Sequence, residues 1–456
     1  MGDLLIQDAQ MVLPDRIVTG DLRVIDAIIS TIAPGGGLTV REGEQVISGE
    51  GLHLLPGAID PQVHFREPGQ PEKETIASGS RAAAAGGVTA FLDMPNNIPA
   101  ATSMDAIRAK LDSAARTAVT HHGFFIGATG NNLDQLQQAT GTADAPRSID
   151  GVCGIKIFMG SSTGDLLVDR QEQLEEIFAN TGGIIAVHAE DEQRLQARKP
   201  DFAERTDIAA HAEWRDSECA LIATKRAVRL AEEHAHRLHI LHLTSAVEAD
   251  WLANNKSDRI SIETCPQHLT FDSEDVEREG CRLQMNPPLR YADDRETLWR
   301  RLKDGTIDCI ATDHAPHTLQ NKALGFPHAH SGMPGVETSL PLMLTHASNQ
   351  RCSIEEVVRW MCAGPANVYG MQGKGELREG YDADLVLVDM QQSQTIEDRH
   401  TWTNVGWTPL AGRTLTGWPR LTIVAGIAVH ARVAGNDPRG TALVDPGLTG
   451  APLRFR

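Results

Sequence analysis

Along this chain, short runs that are apolar on both faces alternate with longer segments whose apolar positions repeat at helical spacing. Eight such runs occupy 55–64, 88–93, 123–128, 154–159, 184–188, 238–242, 260–263 and 307–312. Strands shielded on both faces read as continuous hydrophobic stretches, and strands of that kind joined through helices run parallel. Helical patterns fall between them, among them 74–85, with its run of alanines, 103–118 and 217–234. The pattern predicts an α/β fold, and eight units favour a TIM-type (β/α)8 barrel over an open sheet.

Both ends of the chain read differently. Residues 1–54 hold short alternating segments broken by turns, including Gly35-Gly36-Gly37, and the sequence after Lys374 is again rich in strand patterns, at 383–388 and 421–426. Neither end alone can enclose a core. The expectation is therefore a barrel over 55–373 and one small β-sandwich domain composed of 1–54 and 374–456.

Polar residues close the apolar runs. His64, Asp93-Met94-Pro95-Asn96, Lys156, His188, His242 and Asp313 each end or directly follow one. In a barrel of this type the C-terminal edge of the strands carries the active site, so these residues are predicted to meet there.

Composition narrows the function. With 456 residues the chain suits one large domain and a smaller one, and its hydrophobic fraction of 41% suits a packed core. No apolar run reaches the ~18 residues that would suggest a membrane span. Met1-Gly2-Asp3 opens without a basic and apolar leader, and a cytoplasmic protein is expected. The net charge of −19 speaks against nucleic acid or an anionic membrane as partner. It leaves room for an anionic small molecule, because one arginine can dominate a small pocket. Cys153, Cys219, Cys265, Cys281, Cys309, Cys352 and Cys362 are scattered with no Cys-x-x-Cys pair. They are expected to be small core residues rather than a disulfide framework or a structural zinc site.

The candidate chemistry begins at Asp60-Pro61-Gln62-Val63-His64. Side chains two apart on a strand share a face, so Asp-x-His-x-His would aim two imidazoles at one metal. Here Gln62 stands in the first imidazole's place. His64, His188 and His242 supply nitrogens and Asp313 an oxygen, a set suited to zinc and to other first-row divalent ions. Lys156 lies amid apolar neighbours, where an ammonium is costly and a neutral amine could take up CO₂ as a carbamate. Asp313 could bind metal and take a proton from a water that the ion has acidified to a pKa near ~7. That set implies hydrolysis of a polarised carbonyl, with the bond left open.

The stretches at 56–69, 93–96, 187–190, 239–242 and 312–317, in that order, resemble the cyclic-amide hydrolases of the amidohydrolase superfamily. Among these the dihydroorotases are the nearest match. The likeness runs from about residue 50 to 390, and Gly380-Tyr381-Asp382-Ala383-Asp384-Leu385-Val386 resembles the family's return into its β-domain. The resemblance implies reversible hydrolysis of dihydroorotate to N-carbamoyl-aspartate in pyrimidine biosynthesis. It implies a metal-activated water as nucleophile and Asp313 as proton shuttle. It assigns His64, Lys156, His188, His242 and Asp313 as ligands of one or two zinc ions, Lys156 being N6-carboxylated, and Arg66, Asn96, Asn286 and His317 as substrate contacts. Arg66 points to the dihydroorotases, since a guanidinium can grip the substrate's free carboxylate bidentately. The Gly160-Ser161-Ser162-Thr163-Gly164 loop is expected to border the pocket. A neutral amide is a poor zinc ligand, so Gln62 predicts one firm ion near His188 and His242 and a weak inner position. The competing readings are an allantoinase or hydantoinase, and an inactive homologue with a structural role. A homo-oligomer is expected.

Overall fold

Eight strands, Ala58–Val63, Val88–Asp93, His121–Gly127, Val152–Phe158, Ile184–His188, Arg237–Ile240, Ile260–Thr264 and Cys309–Ile310, form one sheet in chain order, each parallel to the next. Val63 forms a parallel bridge with His314, and the His64 N–H donates to the His314 carbonyl at 2.7 Å. The last strand thus returns to the first, and the sheet nearly closes as a barrel. The structure, a computed structural model, describes residues 3–162, 166–432, 439–444 and 450–456. Met1, Gly2 and the Thr163-Gly164 part of the expected pocket loop lie outside the described residues.

Each expected run contains a strand, with two informative differences. The first run divides at Gly57: His53–Pro56 pairs in the second sheet and Ala58–Val63 opens the barrel. A Cβ at Gly57 would lie 2.1 Å from Thr89 Oγ1, so the chain passes between sheets only because that position is bare. The last run shrinks to Cys309–Ile310. Beyond it the Asp60 carboxylate takes the Thr312 N–H at 3.0 Å and its hydroxyl at 2.5 Å, which draws the backbone out of the ladder.

The surrounding helices start where short polar side chains satisfy their first N–H groups. Thr75 caps Ile76–Ala85 in a reciprocal box with Ser78, Ser103 caps Met104–Thr117, and Asp216 caps Ser217–Glu233. The main core, with Phe65, Phe91 and Phe124, lies between strands and helices. A second cluster fills the barrel and includes Ile59, Leu92, Phe125, Ala186 and Leu241. Tyr369, Leu453 and Phe455 close its floor, and Pro452 bridges to His122 at the start of a strand. The last residues therefore return to the barrel.

The ends meet as predicted. Among the described residues, nine strands from both ends form a mostly antiparallel sheet over the core of Leu4, Ile6, Leu22, Leu54, Leu385 and Ile423. The join is Leu385–Thr395 against His53–Pro56. Asp384 anchors it to the barrel floor, bonding His121 Nε2 at 3.0 Å and Lys374 Nζ at 2.5 Å. All seven cysteines are free, and five are buried. No helix of the described residues is long and apolar enough to cross a membrane.

Candidate active site

Barrel closure brings Gln62, His64, Arg66, Asn96, Lys156, His188, His242, Asn286 and Asp313 around one cavity at the C-terminal edge of the strands. Ser162, from the described part of the expected pocket loop, lines it too. His317, expected as a substrate contact, does not line it, and neither do Asp93, Met94, Pro95, Gly160 and Ser161. His317 stands behind Arg66, with its Nε2 3.3 Å from the guanidinium.

His188 and His242 form one half. His188 Nδ1 lies 3.0 Å from His242 Nε2, with the rings edge to face. On its other side His188 Nε2 faces Glu190 Oε2 at 2.7 Å, so Nε2 carries the proton and Nδ1 presents its lone pair to the cavity. Arg215 holds Glu190 in turn, its Nη2 2.5 Å from Oε2. Burial would raise the Glu190 carboxyl, but Arg215 and His188 hold it well below the usual range. Burial lowers His188, and it lowers His242 further, with His188 adding to the effect. His242 has φ 37°, an unusual conformation for a residue with a side chain, as does Asp313 with φ 48°. Glu263 steadies the first, accepting from the His242 N–H at 3.4 Å and from His239 Nε2 at 3.0 Å. His239, Glu263 and Cys309 are themselves close enough to hold an ion, but both His239 nitrogens are engaged, the second by Ser261.

Gln62, His64, Lys156 and Asp313 form the other half. His64 Nδ1 bonds the Asn96 Oδ1 at 2.6 Å, which leaves Nε2 facing Asp313 Oδ1 at 2.9 Å. A lone pair facing a carboxylate requires a cation between them, either a proton or a metal ion. Gln62 Nε2 donates to the same oxygen at 3.1 Å. Gln62 Oε1 and Lys156 Nζ are buried with no hydrogen-bond partner among the described residues. The lysine nitrogen lies 4.5 Å above the Phe158 ring, and burial lowers its pKa to about 7.

Arg66 lines another side of the cavity. It is 3% exposed and donates from Nε to the Pro316 carbonyl at 3.3 Å. Among the described residues no carboxylate forms an ion pair with it, and burial lowers its pKa to about 10. Asn286 accepts from His211 Nε2 at 2.9 Å and faces Ser162 at 3.4 Å. Together the two halves can hold divalent cation, activate water and receive a proton, beside a guanidinium able to orient an anion.

Sequence reasoning assigned no role to Glu190, Arg215, His211, Ser331 or Gly332. Glu190 had a local signal, since it follows the strand-ending His188 by two residues in the same short stretch. Arg215 and Ser331 had none, because their contacts depend on loops brought together by the fold.

The chain matches the Amidohydrolase family over residues 53–429. It is 37% identical over 399 residues to the dihydroorotase of Halobacterium salinarum, spanning 86% of this chain and 90% of that protein. It is 33% identical over 449 residues to the allantoinase of Streptomyces avermitilis, spanning 97% and 98%. Among solved structures, the L-hydantoinase (dihydropyrimidinase) of Arthrobacter aurescens superposes with a TM-score of 0.90 at 29% identity, covering 99% of this chain and 100% of that one.

Proposed function

The chain belongs to the amidohydrolase family, as a hydrolase of cyclic amides, and from that premise we propose that its substrate pair is dihydroorotate and N-carbamoyl-aspartate, as in a dihydroorotase. One observation carries the choice. Arg66 is a buried guanidinium that lines the cavity and has no carboxylate paired with it among the described residues. An unpaired buried cation is costly, and an anionic group on the substrate offsets that cost. Dihydroorotate carries a carboxylate. Allantoin and hydantoin carry none.

His188 Nδ1 and His242 Nε2, which face each other at 3.0 Å, and His64 with Asp313 fit a divalent ion such as zinc. Bound there, the ion supplies Lewis-acid activation of water and of the amide carbonyl. The protein's groups do the rest. Asp313 takes the proton that water loses as its oxygen bonds to the ring carbonyl carbon. It then delivers that proton to the ring nitrogen as the carbon–nitrogen bond breaks. Arg66 binds the substrate carboxylate, and Asn96 and Asn286 orient the ring. His317 packs behind Arg66 and ties its own loop to the Ser331 carbonyl. Lys156, whose amine is readily neutral, takes up CO₂ as a carbamate wherever two cations are present to hold it.

A second reading, a hydrolase of uncharged cyclic ureides, is favoured by the allantoinase likeness over nearly the whole chain. Assays of metal-replete protein on dihydroorotate, allantoin and hydantoin separate the two. The proposal expects turnover of dihydroorotate, with Arg66→Gln raising KM by roughly 10- to 100-fold. Turnover of allantoin or hydantoin alone would overturn it, and turnover of none would favour an inactive homologue.

A further inference from the structure

The substrate side of the cavity is closed by two segments with little regular structure. One, after Leu283, carries Asn286; the other, between Asp313 and Val336, carries Ser331 and Gly332. Between them, at the end of the four-residue helix Leu319–Lys322, Lys322 is 4% exposed. Its Nζ donates to the Gln284 carbonyl at 2.9 Å and to those of His330 and Gly332 at 2.8 Å each. A neutral amine has two N–H groups and an ammonium has three, so three carbonyls call for the charged form. Burial works against that charge and lowers the lysine's pKa to about 7, while the three acceptors favour the ammonium. Among the described residues no carboxylate pairs with it, and its whole donor capacity goes to backbone.

The bonds around it point the same way. The Gly332 N–H also donates to the Gln284 carbonyl at 2.9 Å, and Gln284 Nε2 reaches the Ala329 carbonyl at 2.9 Å and Ser331 Oγ at 3.1 Å. The Ser331 carbonyl accepts from His317 Nε2 at 3.1 Å, next to Arg66. Gly332 has φ 132°, and a Cβ there would meet the Ala315 carbonyl oxygen at 2.6 Å. The segment is thus seated against the strand end that carries Asp313, and Lys322 bonds all three carbonyls at the junction.

We propose that Lys322 is a positioning residue: its buried ammonium fastens the backbone before Asn286 to the backbone around Ser331, and so sets Asn286 and Ser331 around the substrate. This rests on the proposed reading of the cavity as a cyclic-amide site. Lys322 bonds none of the candidate ligands and does not line the cavity, so its loss should loosen substrate placement while the metal-binding half stays intact.

The test compares the full-length, metal-replete protein with Lys322→Met and Lys322→Arg. Steady-state kinetics use whichever cyclic amide the unaltered protein turns over, and metal content and hydrogen exchange are measured beside them. Expected for Lys322→Met are a KM raised about tenfold or more, a kcat within a few fold and unchanged metal content. Amides at 284–286 and 329–332 should exchange at least about tenfold faster. Lys322→Arg, which keeps a cation able to reach carbonyls, should recover part of the KM. Unchanged KM and unchanged exchange in Lys322→Met would overturn the proposal, as would a uniform fall in kcat, metal content and melting temperature in both variants. Should Lys322→Met fail to fold, exchange at 329–332 in Lys322→Arg and Lys322→Gln decides: protection retained in both overturns it. If the unaltered protein turns over no cyclic amide, the functional reading fails, while the exchange data still decide whether Lys322 fastens the two segments.

Discussion

The half of the cavity formed by His188 and His242 and the half formed by Gln62, His64, Lys156 and Asp313 differ in how their polar atoms are held. In the first, Glu190 fixes the His188 proton on the outer nitrogen and Arg215 fixes Glu190, so an ion would find its ligands already aimed. In the second, Asn96 orients His64, but Gln62 brings a neutral amide and Lys156 brings a nitrogen with no partner among the described residues. One half is organised without an ion. The other needs a cation, a proton or a metal ion, between His64 Nε2 and Asp313 Oδ1, which face each other at 2.9 Å. Metal affinity and proton transfer should therefore be separable here: the better-supported half should hold the ion, and the less-supported half contains Asp313, the residue proposed to move protons.

The largest test of that separation is Asp313→Asn, which keeps a side chain of the same shape. Activity should fall by about 10²- to 10⁴-fold while one tightly bound ion and the melting temperature are retained. Loss of all metal would merge the two halves. Next, Glu190→Gln should weaken metal binding about 10- to 100-fold, read by competition with a chromogenic chelator well below the melting temperature. It should also destabilise the fold by roughly 3 kcal/mol, since the buried Arg215 loses its charged partner. Unaltered affinity would remove the reason to rank this half first.

Gln62→His restores an imidazole to the second half. Metal analysis of protein purified without chelators should rise from about one ion per chain to two, because imidazole is a far better zinc ligand than a carboxamide. Two tightly held zinc ions in the unaltered protein would break the comparison.

The smallest effect on the site, and a control for it, comes from histidines remote from both halves. Burial lowers the pKa of His122 and of His346 to about 4, because it disfavours the charged ring. Their folded pKa lies below the unfolded value near ~6.5, so the unfolded chain binds more protons as pH falls. Their contribution to stability is complete above about 6.5 and is lost as pH drops towards about 4. Thermal melts between about pH 7 and 4.5 should show His122→Gln with a shallower decline than the unaltered protein and an unchanged metal content. A steeper decline would reverse the sign.

Much of this was legible before folding was considered. The eight apolar runs, the polar residues that end them and the strand-rich chain ends mark the barrel, its active edge and the second sheet, because burial on both faces leaves a continuous apolar trace. Three details were not legible. The first run divides at Gly57 because Thr89 packs against it, a residue on the neighbouring strand. The last residues return to the barrel floor, where Leu453 and Phe455 pack with Tyr369, although nothing near them in sequence marks that destination. His317 matched a substrate position by motif, yet it stands behind Arg66, since Ser331 and Trp407 hold its loop to one side.

The sequence by itself determined the period of burial, the order of the strands and which residue types stand at their ends, because these are properties of neighbours along the chain. Only the tertiary structure decided that Gln62 and His64 meet Asp313, that Glu190 is locked by Arg215, and that Lys322 ties three carbonyls together. Those contacts join residues that local pattern cannot pair, and their geometry exists only once the barrel has closed and its loops have packed.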